Sequence, residues 1–570
     1  MIKYSIDIRH PHRQFIQFKA EFPHDSGDIL NLQLPAWRPG RYELGNFAKY
    51  IRQWKVMDAH GNVLEAEKVT KDLWQIQAAG LDKVVIEYDF HANILNAGSS
   101  WLHVDQLYIN PVNCFFYVPE HQDLGYEVTL NIPENWQVAC GLEQNGRNTL
   151  IASDVQQMMD CPIIASDTLV DHPYEVNGVT YHIWIQGEIH FDIERFVSDH
   201  RAFTVAMLEA FETIPCEEYH FMYQFPGFKA RHGVEHSNST VIAWGPAQLM
   251  ADEKNYREVI GISCHELYHT WNIKNIRPAE MMPYNFEKEN YSRLGYVAEG
   301  VTTYYGDQFL LRCGVFDRDE YLNRLAAAVM RHAQNFGRFN LSVADSSFDT
   351  WLDGYVPGVP GRKVSIYNEG TLTALMTDLE IIVRTSGEKS LDDVMRILYE
   401  EFGKKGIGYT EKDYRKVVAR IAGADLTQIF DDFIYGMGDY LPRLSELMSK
   451  IGLEVIIGES KDIPKALLGF TTNSAGMITS IWPDSPADDA GLALGDQILS
   501  INGVQLAEIT LQEGDTAEIA FVRFGKEQQV SATARIGLMY PDFGIVKHSF
   551  SDVSKEALYN CWLRTSPKYC

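Results

Sequence analysis

The run YREVIGISCHELYHTWN, Tyr256 to Asn272, constrains this 570-residue chain most, because it holds H-E-x-x-H at His265-Glu266-Leu267-Tyr268-His269. On an α-helix, residues i and i+4 lie about 40° apart and roughly 6 Å along the axis, so His265 and His269 can face one ion. Glu266, about 100° round from His265, stands beside that ion and can take a proton from a water on it. The flanks are apolar enough to bury the helix. A fold that accepts this sequence must therefore carry a metal ligand to the same point from elsewhere. Otherwise it buries two histidines and a glutamate for packing alone, since five-residue patterns also recur by chance.

The third ligand decides between these. In one zinc class H-E-x-x-H continues as x-x-G-x-x-H, but here those positions hold Asn272 and Asn275. Glu280, Glu287 and Glu289 lie in a Pro/Asn/Lys-rich stretch with the composition of a surface loop. Glu299 lies instead in LGYVAEGVTTYYGDQFLL, Leu294 to Leu311, where an unpaired carboxylate is costly to bury and a zinc ion would be its partner. Two histidines and one carboxylate leave a fourth position open, the catalytic rather than the structural arrangement. Thr303 and Asp307, one and two turns further on, are candidates to orient the ligands or are ordinary helix residues; Asn272 and Arg277 carry no assigned role.

A chain of this length exceeds one hydrophobic core. Residues 1–165 read as a β-sandwich-like domain: KYSIDIRH, RQFIQFKAEF, KVVIEYDFHA and YEVTLNIP alternate apolar and polar residues, as half-buried antiparallel strands do. LPAWRPGRYELGNFAKYI, Leu34 to Ile51, interrupts them as an aromatic turn punctuated by proline and glycine. In residues 166–445 three strand-like pieces give way to helical ones at Tyr256–Asn272, Leu294–Cys313, Arg318–Gln334, Thr371–Thr385 and Leu391–Phe402, an α+β catalytic domain of small sheet and helical bundle. Strands return over residues 446–540, and 541–570 read as a C-terminal tail. In SPADDAGLALGDQILSINGVQL, Ser485 to Leu506, Ser485 caps a short helix with Pro486 in its first turn, Gly491 ends it, and Asn502-Gly503 turns a strand.

The formal net charge of −27, with no basic stretch to interrupt it, disfavours a phosphate backbone as partner and favours solubility or cationic groups such as a peptide amine. No apolar run reaches membrane-span length, and the start lacks a leader's apolar stretch. Eight scattered cysteines without a C-x-x-C pair predict free thiols and a cytoplasmic protein, with no nucleic-acid or membrane partner.

HELYHTWNIKNIRP followed by VAEGVTTYYGD resembles the glycyl aminopeptidase family of gluzincin metallopeptidases, enzymes with a C-terminal PDZ domain. The likeness runs through LPAWRPGRYELGNFAKYI, GVEHSNST (Gly233–Thr240), YNEGTLTALMTDLEI (Tyr367–Ile381) and the SPADDAGL region. It implies a thermolysin-like catalytic domain, a PDZ-like β-barrel domain, and one zinc per chain on His265, His269 and Glu299. It also implies hydrolysis of the N-terminal bond of peptides beginning in glycine or alanine, by attack of zinc-bound water with Glu266 as general base. In the related aminopeptidase N branch, Y-E-K-G aligns with YNEG here, which implies Tyr367 as oxyanion donor, although Glu369 replaces the lysine. That branch's G-x-M-E-N strand aligns with Gly233–Glu235 and implies Glu235 as the site for the substrate's free amine. His232 and His236 stay outside the metal shell. Gly469-Phe470 is the expected carboxylate pair of a PDZ site for a peptide C-terminus, or that domain merely packs on the enzyme. The competing functions are a zinc endopeptidase with the same site and an inactive PDZ-bearing adaptor.

Overall fold

The computed structural model describes residues 1–24, 27–96, 98–356, 358–548 and 552–564. The N-terminal region is β-rich. Strands β1 (Ile2–Asp7), β2 (Phe15–Pro23), β3 (Lys83–His91) and β4 (Tyr126–Asn131) lie in a seven-stranded sheet; β1, β2 and β4 bury alternate side chains, and β3 buries Val84, Val85 and Ile86 in a row before alternating. Its inner face meets a three-stranded sheet: Phe116 packs edge-on against Tyr88 of the first at 5.3 Å and Trp74 of the second at 5.1 Å. One pairing departs from the antiparallel expectation. β1 and β4 run parallel, Ile2 opposite Tyr126, because more than a hundred residues connect them and no hairpin sets their direction.

The aromatic turn leaves this sandwich and docks on the rest of the chain. Trp37 is fully buried, donates from Nε1 to the carbonyl of Asn285 at 2.7 Å, and stacks edge-on with Trp351 at 4.9 Å.

In the catalytic region β5 (Val179–Gly187), β6 (Glu218–Phe225) and β8 (Ser239–Gly245) are parallel, with β7 (Ala230–Glu235) antiparallel on β8. A parallel pair requires a crossover, supplied between β5 and β6 by α1 (Ile193–Phe211), which the sequence reading did not separate from the strands. Asp192 caps it by accepting from Glu194 and Arg195 N–H, and Phe196, Phe203, Met207 and Phe211 form its buried stripe. Behind the sheet lie α2 (Glu253–Tyr268), a π-helical turn over Tyr296–Val301 that runs into α3 (Thr302–Arg312), α4 (Arg318–Gln334) and α5 (Asn368–Arg384).

The sequence suggested a tail after residue 540; among the described residues there, a strand and a helix pack on the rest of the chain. β9 (Leu453–Gly458) pairs antiparallel with β12 (Asp542–Lys547), and between them β10 (Phe470–Thr472) and β11 (Ile478–Ile481) belong to the PDZ-like module with its own small core. Helix α6 (Val553–Leu563) then buries Tyr559, Trp562 and Leu563 in the core shared by α1 and α2. Arg564 ends it with an ion pair to Asp378 at 2.7 Å. Cys561 is disulfide-bonded, against the expectation of free thiols throughout, whereas Cys114, Cys140, Cys161, Cys216, Cys264 and Cys313 are free.

Candidate metal centre

Helix α2 starts at Asp252, which caps the Asn255 N–H, and ends against the residue it must place, His269. The chain then folds back so that the carbonyl of Asn272 accepts from His269 Nδ1 at 2.8 Å. That bond leaves the lone pair on Nε2, the tautomer a metal needs. The reversal puts β-branched Ile273 at φ +101°, a strained backbone held by full burial of its side chain.

Glu299 arrives on the π-helical turn. A widened turn frees carbonyls from their usual partners, and the Asn272 amide takes them: it donates to Val297 O at 2.8 Å, Ala298 O at 3.3 Å and Thr302 Oγ1 at 3.0 Å. Asn272, without a role from sequence, thus ties the histidine ligand to the element bearing the carboxylate.

His265 Nε2 lies 3.0 Å from His269 Nε2, and Glu299 Oε2 lies 3.4 Å from the latter and 3.9 Å from the former. Tetrahedral zinc with bonds near 2.1 Å sets its ligand atoms about 3.4 Å apart, so the three donors fit such an ion. Burial, then His269, depresses the His265 pKa well below the usual imidazole value. Burial works the same way on His269, but the Glu299 carboxylate outweighs it and lifts the value to about 9.

Glu266, the residue after His265, is buried beside the donors. Burial raises it to about 8, and Glu235 and Glu299 add to the rise. Its Oε2 has no partner among the described residues, and neither has Oε1 of Glu235, both being buried. Glu235, Glu266 and His269 offer atoms within 4.8 Å of one another, a second donor set that shares His269 with the first. Gly233 has a steric reason: a Cβ there would sit 2.5 Å from Glu266 Oε1 and 2.8 Å from Ile262 Cγ2, so a larger residue would displace the Glu266 carboxylate. Tyr367 stands at the N-terminal end of α5 on the same cleft as Gly233, His265 and Glu266, a space of about 1260 Å³. Tyr367 is 36% exposed, and a phenol is protonated at neutral pH, so it can donate a proton there; the surrounding protein and then Glu299 act to raise it further.

Of the other candidates, Thr303 donates to its own helix at Glu299 O at 2.8 Å, and Asp307 pairs with Arg324 at 3.4 Å, so neither orients a ligand. His236 Nδ1 faces Asp160 at 3.4 Å, and neither it nor His232 belongs to a metal-competent cluster among the described residues. Arg277 braces the loop through the carbonyls of Ile273 and Lys274 at 3.1 Å and 2.9 Å.

The sequence reading missed the contribution of the N-terminal turn. Tyr42 donates to Glu299 Oε1 at 3.4 Å, and a Cβ on Gly40 would lie 2.5 Å from Glu235 Oε2. Arg38 is buried within the field of Glu235. An arginine and a tyrosine inside a buried Pro/Gly turn were the available signal.

A family model for the peptidase M61 N-terminal domain matches residues 3–167, and one described as M61 glycyl aminopeptidase matches residues 258–373. The chain belongs to the M61 peptidase family. A PDZ-domain model matches residues 477–521 of this M61 chain. The crystal structure of an aminopeptidase N family protein from Idiomarina loihiensis is 25% identical, covers 99% of the M61 chain and 100% of its own, and superposes with a TM-score of 0.90. An M1 zinc metallopeptidase from Deinococcus radiodurans is 12% identical over 77% of the M61 chain and 94% of its own, with a TM-score of 0.46. A probable periplasmic serine endoprotease DegP-like from Pseudomonas savastanoi pv. phaseolicola is 32% identical over 111 residues, 18% of the M61 chain. The chain spans 22% of the length of that curated relative. Among the described residues no helix is long and apolar enough to cross a membrane.

Proposed function

We propose that the M61 chain is a zinc-dependent aminopeptidase that removes N-terminal glycine and alanine from peptides. One observation carries the reading: a buried carboxylate, Glu235, with an oxygen unpartnered among the described residues, lies within 4.8 Å of the metal donor His269, while His265 and Glu266 line an open cleft. A substrate with its ammonium group on Glu235 has its first peptide bond over the metal donors and its remainder in the cleft.

His265, His269 and Glu299 hold the metal. Zinc, when bound, supplies a Lewis acid and lowers the pKa of a water ligand. Glu266 takes the proton of the attacking water and delivers it to the departing amine, a role suited to a carboxyl group raised toward neutrality. Tyr367 donates to the oxyanion of the tetrahedral intermediate. Gly233 leaves room for both Glu266 and the substrate.

The test joins metal analysis to an assay of Gly-, Ala- and Leu-leading chromogenic amides. Expected are one zinc per chain, cleavage abolished by chelator, and no cleavage once the N-terminus is acetylated. Undiminished cleavage of an acetylated peptide would mean an endopeptidase, and a metal-loaded but inert chain would mean an adaptor.

The PDZ-like module is proposed to take a peptide C-terminus by strand addition at Gly469-Phe470. Gly469 has φ +79°, and among the described residues β10 pairs with β11 alone, which leaves its other edge for a ligand strand. Titration with a peptide bearing a free or an amidated C-terminus tests this; equal binding of both would refute it.

A further inference from the structure

The amine side of the centre is roofed by two loops distant in sequence. Gly40 lies against the Glu235 carboxylate. Two residues on, the Tyr42 hydroxyl reaches Glu299, and the Tyr42 backbone N–H donates to the hydroxyl of Tyr355 at 3.3 Å. Tyr355 follows the short helix Thr350–Asp353, and the Arg41 guanidinium sits 4.7 Å over its ring. Trp351 braces the pair, 5.8 Å from the Tyr42 ring. The Tyr355 hydroxyl is thus one hydrogen bond from the segment that meets Glu235 at Gly40 and Glu299 at Tyr42. The large cleft has none of these roof residues in its lining. Peptide can thus extend away from the roof, but an N-terminal side chain beside Glu235 must lie under it.

We propose that Tyr355 is a specificity-determining residue of this site: its ring occupies the space that a side chain larger than that of alanine would need. The inference rests on the aminopeptidase reading and adds what limits the first residue. A leucine excluded by a ring and then admitted should gain at least about tenfold in relative kcat/KM.

The experiment measures kcat/KM for Gly-, Ala- and Leu-leading amides on the full-length zinc-loaded enzyme. In Tyr355→Ala the Leu:Gly ratio is expected to rise at least about tenfold. Tyr355→Phe, which removes the hydroxyl and keeps the ring, is expected to hold the wild-type ratio. Tyr355→Leu keeps an apolar side chain in the loop and should raise the ratio less, which supplies a reading if the alanine variant does not fold. A ratio unmoved in the alanine and leucine variants would overturn the proposal, as would a phenylalanine variant that matches the alanine one. If the wild type cleaves none of the amides while holding zinc, the aminopeptidase reading fails and takes this inference with it.

Discussion

The two carboxylates nearest the metal donors differ in what they need, and substitution separates them. Among the described residues Glu266 has one oxygen without a partner, and burial pushes its carboxyl up to about 8, whereas Glu299 receives Tyr42 and faces both histidines. Glu266→Gln is expected to retain zinc and lose about 10²–10⁴ in kcat, the usual worth of a general base. Elemental analysis beside a steady-state assay checks it, and an active Glu266→Gln enzyme would overturn the mechanism. Glu299→Ala is expected to lose the metal; full zinc occupancy in that variant would require another ligand. At this scale the sequence revealed residues whose type is unusual for their surroundings, such as a carboxylate within an apolar run. Asn272 stayed silent because an asparagine after a helix is ordinary, and its value comes from carbonyls freed in another element.

The catalytic elements are held at a spacing that two glycines permit. A Cβ on Gly300, in the turn bearing Glu299, would lie 2.3 Å from Gly370 Cα in α5, and one on Gly370 would lie 2.6 Å from Gly300 Cα. The two backbones touch, which places Tyr367, at the head of α5, on the same cleft as the donors. Gly306 of α3 likewise lies against His265, where a Cβ would be 3.3 Å from that of the histidine. Gly300→Ala must push the turn away from α5 by more than a side-chain adjustment, since both contacts are backbone. The expected result is about 1–3 kcal/mol of lost stability, with weaker zinc retention than any surface Gly→Ala change shows. Thermal melting and competition with a chelator measure the two effects, and a variant with wild-type zinc affinity would show that the turn is not set by this contact. Helix positions were legible from apolar periodicity, and Arg318–Gln334 agrees to the residue. The π-helical turn was not, because its extra residue per turn leaves no mark in the pattern; the same holds for parallel pairing in the sheet.

The whole molecule depends on contacts between segments far apart in sequence, which is why the N-terminal turn looked like a loop and residues beyond 540 like a tail. The strongest such link is electrostatic. Lys274, just past the metal helix, has its ammonium fully buried 2.7 Å from Asp160 of the β-rich region. Asp160 also accepts from Ser237 N–H at 2.8 Å and Ser237 Oγ at 2.6 Å, next to Glu235 and His236. Three segments, carrying the two histidine donors, Glu235 and the N-terminal sandwich, thus meet on one carboxylate. Burial acts to raise the Asp160 pKa, but Lys274 and His236 reverse it and hold the group far below the usual carboxylate range. A folded-state value below the unfolded one contributes stability above pH ~4 that is lost as the pH falls. Removing one partner of a buried pair typically costs about 3–5 kcal/mol. Asp160→Asn is therefore expected to lower neutral-pH stability by about that amount and to flatten the decline of the melting temperature below pH ~4. If the pair orders the amine site as well as the interface, the same variant raises KM for Gly-leading amides more than it lowers kcat. Melting curves from pH 3 to 8, with kinetics at pH 7, separate the two contributions. A variant as stable as wild type at pH 7, with the same acid limb, would show that this carboxylate does not join the three segments.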